Sequence, residues 1–236
     1  GFNIFRYGFS WNILQPDLSK PYNRDYYDAM HSNITNMAKD TNVFVILDLH
    51  DFGRHSGQLI GESTDAPTAQ SLATLWESIA ADFKDLGNVI FGIMNEPEEF
   101  ANTDTVIAYL QAAVEAIRAA GATKQYILVP SKDWQGISTW LNYSDRTLGI
   151  SDSENRLIYD THSYLDPNRN GTIDCEDFSN RRSEWDAVTV KLRNSGKRAF
   201  LSELGGIASV KCEKSINDAL AYLDENKDVW LGWTAW

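Results

Sequence analysis

Cysteine is nearly absent from this 236-residue chain: Cys175 and Cys212 are the only two, so one bridge is the most it can form. Positive charge is also short. Lys and Arg number 21 against 33 Asp and Glu, for a formal charge of −12 and an isoelectric point near 4.7. That balance argues against nucleic acid and anionic membranes as partners, and it suits a soluble protein with a neutral ligand. Long apolar runs are missing too; the longest have the length of strands, which leaves no membrane span. No zinc-ligand cluster, phosphate-cradling glycine loop or nucleotide motif occurs, so neither a metal nor a cofactor is expected. Linkers, low-complexity segments and repeats are absent, and residues 1–236 read as a single domain. From Gly1 onward there is no basic region followed by an apolar one, so any signal peptide is expected to have been removed or omitted.

What is there is an ordinary globular balance, 43% hydrophobic and 23% charged, enough to bury a sizeable core. Apolar, strand-like runs occur at 2–6, 43–50, 89–95, 126–130, 157–162, 198–203 and 229–236. Helical patterns lie between them. Leu72, Trp76, Ile79, Ala80 and Phe83 recur every three to four residues, as do Val106, Leu110, Val114 and Ile117, with Gly121 placed to cap. Ile216, Leu220 and Leu223 share one face, and a less cleanly amphipathic helix is expected over about 22–40. Alternating strands and helices imply parallel pairing with right-handed crossovers. Seven strands in this length fit an α/β barrel that is one strand short better than an open doubly wound sheet.

Two of the runs lead straight into a glutamate: Ile93-Met94-Asn95-Glu96-Pro97 and Phe200-Leu201-Ser202-Glu203. The C-terminal ends of barrel strands are where such folds place their chemistry. Facing carboxylates are what glycosidic bond cleavage needs. Other strand ends carry Arg6, His50, His162, Tyr164, Trp233 and Trp236, with Trp134 just beyond one of them. A single such residue would be ordinary loop capping; one at nearly every strand end describes a site. Tryptophans in these places could stack on flat sugar faces. Asp48, inside a strand, reads instead as a buried structural acid, and Glu98 and Glu99 as solvated loop charges. The segment 166–177 imitates the start of a calcium loop but ends on Asp177 where a glutamate is required, so it reads as a turn-rich loop. Three glycosylation sequons, at Asn33, Asn142 and Asn170, give weak support for an extracellular location, where a disulfide between the two cysteines would be expected.

Phe5-Arg6, Leu49-His50, Met94-Asn95-Glu96-Pro97, His162-Ser163-Tyr164, Ser202-Glu203 and the terminal Trp236 together resemble the motif set of glycoside hydrolase family 5. They follow that family's order from its strand 2 to its strand 8. Val129-Pro130-Ser131-Lys132-Asp133-Trp134-Gln135-Gly136 is similar to the loop after strand 5 in the fungal-type endo-β-1,4-glucanase branch. Tyr164-Leu165-Asp166, followed by a cysteine, resembles that branch's loop after strand 6, and the pair Cys175 and Cys212 resembles one of its disulfides.

The resemblance implies a TIM-type (β/α)8 barrel whose strand 1 and last helix this chain lacks, with open edges through which copies could associate. It implies a secreted endo-glucanase that cleaves internal β-1,4 bonds of cellulose or β-glucan through a glycosyl-enzyme intermediate, with no cofactor. Glu203 matches the nucleophile and Glu96 the acid/base. Arg6 and Tyr164 would donate to Glu203, and Asn95 to the sugar 2-hydroxyl. His50 and His162 would orient Glu96 or the substrate. Trp236 would lie under the sugar at the cleavage point, and Trp134 would either stack a neighbouring sugar or pack in the core. A mannan or mixed-linkage glucan hydrolase and a catalytically silent sugar-binding barrel are the alternatives.

Overall fold

Seven parallel strands surround a common interior in the computed structural model, which describes residues 2–236. They are β1 (Ile4–Phe9), β2 (Phe44–Leu49), β3 (Val89–Gly92), β4 (Ile127–Pro130), β5 (Leu157–Tyr164), β6 (Ala199–Gly205) and β7 (Trp230–Ala235). Neighbours in space follow the order in sequence, and every pair is parallel. The crossovers carry α1 (Arg24–Met37), α2 (Ala69–Phe83), α3 (Thr103–Ala119), α4 (Ile137–Thr147), α5 (Arg182–Asn194) and α6 (Val210–Glu225). A single helical turn, Trp11–Leu14, follows β1, and a small hairpin pairs Arg54–His55 with Gln58–Leu59 after β2. This is a TIM-type barrel of seven strands. Among the described residues no ladder joins β1 to β7. Side chains bridge part of that seam instead, with Phe2 set edge-on to Trp233 at 6.0 Å between ring centroids. No helix of the described residues is long and apolar enough to cross a membrane.

The helices begin where their caps say they should. Thr68 and Ser71 form a reciprocal capping box for α2, Asn102 accepts from the Asp104 amide of α3, and Ser209 from the Cys212 amide of α6. Gly121, one residue past the end of α3's cap, takes φ +88°, the left-handed turn anticipated for it. Helices α4 and α5 have no counterpart in the sequence pattern read above. Their inward faces explain why: Ser144 and Thr147 in α4, and Thr189 in α5, occupy buried positions and dilute the apolar period. Thr189 is accommodated there because its hydroxyl accepts from both Tyr222 and the Trp230 indole at 2.9 Å.

Packing divides into two outer cores between helices and sheet and one plug inside the barrel. The plug is Ile46, Ile90, Leu128, Ile158 and Phe200. Side chains two residues further along a strand point the same way. Above Ile46 therefore stand Asp48 and then His50; above Ile158 stand Asp160 and then His162. The barrel interior thus passes from an apolar base, through a charged layer, to the imidazoles of His50 and His162 at the open end.

Candidate active site

Pairing between β5 and β6 slips by one residue at its upper end. Thr161 faces Leu201, but His162 faces Glu203, so Ser202 is an extra residue in β6. Such a bulge re-aims the side chains beyond it. Here it lets Ser202 and Glu203, adjacent in sequence, both reach groups on the interior side. Glu203 accepts from Arg6 Nη1 at 2.5 Å and from the Tyr164 hydroxyl at 2.6 Å, one donor for each carboxylate oxygen. The second terminal nitrogen of Arg6 reaches Asn95 Oδ1 at 2.5 Å and Asp48 at 3.1 Å. Burial alone would lower the pKa of this guanidinium, but Asp48, Asp160 and Glu203 around it raise it, so it stays cationic.

Glu96 stands beyond the end of β3 in a left-handed backbone conformation, φ +42°, that a residue with a side chain adopts only under constraint. Two contacts supply that constraint. Its amide donates to Gln135 Oε1, and its carboxyl lies 2.6 Å from His162 Nδ1. His162 is buried, and burial pushes its pKa well below the usual value, helped by the nearby charge of Arg6. It is therefore a neutral imidazole with a single ring proton. Burial also raises the Glu96 carboxyl to about 8, with the charge of Glu203 as the next cause. A protonated Glu96 donates to Nδ1, which leaves the ring proton on Nε2 to donate to Ser202 Oγ at 2.9 Å. This tautomer is the one the network assigns. Below it, burial pushes the Asp160 carboxyl up to about 7 against the pull of Arg6, and its Oδ1 has no hydrogen-bond partner.

His50 serves the other side of the site. Its Nδ1 donates to Asp48 at 2.9 Å, while Nε2 accepts from Asn95 Nδ2 at 3.4 Å. Trp236 stacks on that imidazole, 5.1 Å between centroids and 12° from parallel, with the Arg6 guanidinium 5.4 Å from the indole. Its outer face is open, and the residue is 61% exposed. Trp134 is exposed as well, carried on three successive left-handed residues, Asp133, Trp134 and Gln135. It lines the cleft rather than a core. The cleft measures about 630 Å3 and contains both glutamates, His50, His162, Tyr164, Trp134 and Trp236.

The structure thus brings Arg6, His50, Asn95, Glu96, His162, Tyr164, Glu203 and Trp236 to one place, with Trp134 on its wall. His162 is the imidazole that touches Glu96; His50 is turned to Asp48 and Asn95. Asp48 is the paired buried acid its sequence position suggested. Ser202 and Gln135 were not singled out in the sequence, although both lie inside motifs quoted for other residues. Glu96, His162 and Glu203 are the one group of potential metal donors among the described residues, their ligand atoms all within 4.8 Å. Two donors on one tetrahedral zinc ion would stand about 3.3 Å apart, so the 2.6 Å contact of His162 with Glu96 is a hydrogen bond between acid and base. Cys175 and Cys212 are bonded, tying the loop after β5 to α6.

A family model described as Cellulase (glycosyl hydrolase family 5) matches residues 1–236. The chain is 34% identical over 238 residues to a probable endo-beta-1,4-glucanase B of Neosartorya fischeri, covering all of this chain and 70% of that protein. It is also 34% identical over 238 residues to an endo-beta-1,4-glucanase A of Emericella nidulans, covering 100% and 71%. Among solved structures, Cel5A (EG2) from Hypocrea jecorina (Trichoderma reesei) superimposes with a TM-score of 0.93 at 29% identity, covering 99% of this chain and 72% of that one. XacCel5A in complex with cellopentaose gives 0.91 at 34% identity, covering 99% and 75%.

Proposed function

The chain belongs to glycosyl hydrolase family 5, in its fungal-type cellulase branch, and from that premise we propose that it hydrolyses internal β-1,4-glucosidic bonds of cellulose or soluble β-glucan with retention at the anomeric carbon. The observation that carries the retaining reading is the approach of the two carboxylates, with one oxygen of Glu96 and one of Glu203 within 4.8 Å. Retaining pairs sit about 5–5.5 Å apart, whereas inverting pairs need roughly 6.5–9.5 Å to admit a water molecule.

In the first step a Glu203 oxygen attacks the anomeric carbon as the bond to the leaving sugar breaks. Glu96 gives its proton to the departing oxygen. In the second step Glu96, now a carboxylate, takes a proton from water, whose oxygen attacks the same carbon. The ester to Glu203 breaks and both carboxyls return to their starting states. Forming the ester removes the Glu203 charge, which is one of the causes that raise Glu96. Glu96 therefore changes from acid to base when the mechanism requires it. Arg6 and Tyr164 fix the nucleophile by one hydrogen bond to each oxygen. Asn95, held by Arg6, would bond the sugar 2-hydroxyl, and Trp236, stacked on His50, would offer the ring beneath that sugar.

Reducing-sugar release from carboxymethylcellulose and from mannan, with proton NMR of the first product anomer, tests this reading. It predicts release from the glucan, the β-anomer first, and none from the Glu203→Gln variant. Preference for mannan, or the α-anomer first, overturns it. An extracellular location is part of the same reading, supported by the disulfide. The unpaired outer edges of β1 and β7 make a second copy of the chain a partner to test for.

A further inference from the structure

The loop that leaves β5 contains a buried carboxylate with no place in the mechanism above. Asp166 is fully buried although residues 167–170 around it are exposed. Its Oδ1 accepts from the backbone amides of Asn170, at 3.1 Å, and Gly171, at 2.6 Å. Those two bonds fold the loop back over the end of its own strand. Gly171 lands against the ring of Tyr164 in a left-handed conformation, φ +74°, and a Cβ there would stand 2.8 Å from Cδ1 and 3.1 Å from Cε1 of that ring. Gly205 of β6 borders the same edge, its hypothetical Cβ 3.6 Å from Cε1. The far end of the ring carries the hydroxyl that donates to Glu203 at 2.6 Å. Other anchors hold the rest of the loop. Arg169 pairs with Glu184 at 2.6 Å, Arg181 donates to the Asp166 carbonyl at 3.2 Å, and Cys175 is bonded to Cys212.

We propose that Asp166 and Gly171 are positioning residues for the nucleophile, acting through Tyr164. Asp166 holds the Gly171 backbone in place, and Gly171 sets where the phenol ring lies, so that its hydroxyl meets one Glu203 oxygen while Arg6 meets the other. The loop's polar exposed residues account for its solubility, but they give no reason for a buried carboxylate at its base. A hydrogen bond weakens steeply when its angle or length is disturbed, and displacement of a reacting group by about 1 Å can cost a hundredfold in rate. The proposal rests on Glu203 being the nucleophile.

The test compares Asp166→Ala, Asp166→Asn and Gly171→Ala, each alone and combined with Tyr164→Phe, on a soluble cello-oligosaccharide. Expected are a roughly tenfold or larger fall in kcat with KM nearly unchanged for Asp166→Ala and Gly171→Ala. Asp166→Asn, which keeps the Oδ1 acceptor, restores most of the parental kcat. In the Tyr164→Phe background neither change lowers kcat further. Gly171→Ala keeps the question decidable if Asp166→Ala does not fold, because it keeps the Asp166 acceptor and both amide donors while its methyl crowds the ring and strains the left-handed backbone at that one residue. Losses that multiply in the Tyr164→Phe background, or a rise in KM with kcat unchanged, overturn the proposal. If those appear while Glu203→Gln remains inactive, the bracing fails and the nucleophile assignment stands. If Glu203→Gln is active, the nucleophile assignment itself fails, and the proposal with it.

Discussion

Glu96 and His162 show how burial, reinforced by the charges beside it, can set the proton states of a carboxyl and an imidazole in contact. Both are removed from water, which disfavours a charge on either; the carboxyl keeps its proton and the imidazole does not acquire one. With Glu96 raised to about 8, its proposed role as the acid predicts that kcat/KM of the free enzyme falls as pH rises through that value, the leaving oxygen then finding no proton. A pH profile on a soluble glucan should place its basic limb there, and a limb unchanged in Glu96→Gln would assign it to another group. That variant should lose about 10²–10⁴-fold on ordinary glycosidic bonds and far less on dinitrophenyl glycosides, whose leaving group needs no proton. The same shift makes a stability statement. A carboxyl whose folded pKa is raised favours folding at pH below its unfolded value near 4.5, and that contribution is lost as pH climbs toward 8. Glu96→Gln, uncharged throughout, should therefore melt progressively above the parent between about pH 5 and pH 8. A constant gap across that range would contradict the assignment.

At the level of elements, the connection from β4 into α4 does more than its sequence suggests. Gln135 is buried, its backbone carbonyl accepts from the His162 amide at 2.9 Å, and its side-chain oxygen accepts from the Glu96 amide. One residue thereby fixes the backbone at both partners of the acid pair. Gln135→Ala should leave the Glu96 amide without its acceptor, lowering stability by about 1–3 kcal/mol and kcat more than KM. A variant with parental kcat and melting temperature would show that the loop needs no such link. No periodicity marks this residue, because three successive left-handed conformations belong to neither a helix nor a strand. The strands themselves were readable, since parallel strands covered on both faces stay apolar along their length. So were α2, α3 and α6, whose inward faces are apolar or capped in ways the sequence displays. Helices α4 and α5 were not, with Ser144, Thr147 and Thr189 facing inward. The bulge at Ser202 was equally hidden, because a register slip exists only between two strands and cannot be seen in either alone. The glutamates were legible because each ends an apolar run. Of the network around them, the resemblance supplied the Arg6 and Tyr164 contacts to Glu203; the parts played by Ser202, Gln135 and Asp160 were hidden, since these residues meet only after the barrel forms.

Across the whole molecule, an organised site sits in a barrel whose seam is held by side chains. β1 and β7 approach each other without a ladder, joined by Phe2 against Trp233 and by Arg6 beneath Trp236. Phe5 on β1 and Leu231 on β7 are both partly exposed beside it. Unpaired strand edges with apolar neighbours favour association, whereas a formal charge of −12 on each copy opposes it. Sedimentation velocity should therefore find more dimer at high protein concentration, and more again when salt screens the repulsion. A single monomeric species at every concentration and ionic strength would mean that the seam is adequately covered as it stands. The chemistry at the other end of the barrel has its own decisive measurement. Incubating the protein with a 2-deoxy-2-fluoro-β-cellobioside bearing a dinitrophenyl leaving group, then digesting and weighing its peptides, reads the nucleophile directly. The account predicts one glycosyl adduct, on the peptide carrying Glu203. An adduct on any other residue, or turnover of the cellulosic substrate with no adduct at all, would contradict it.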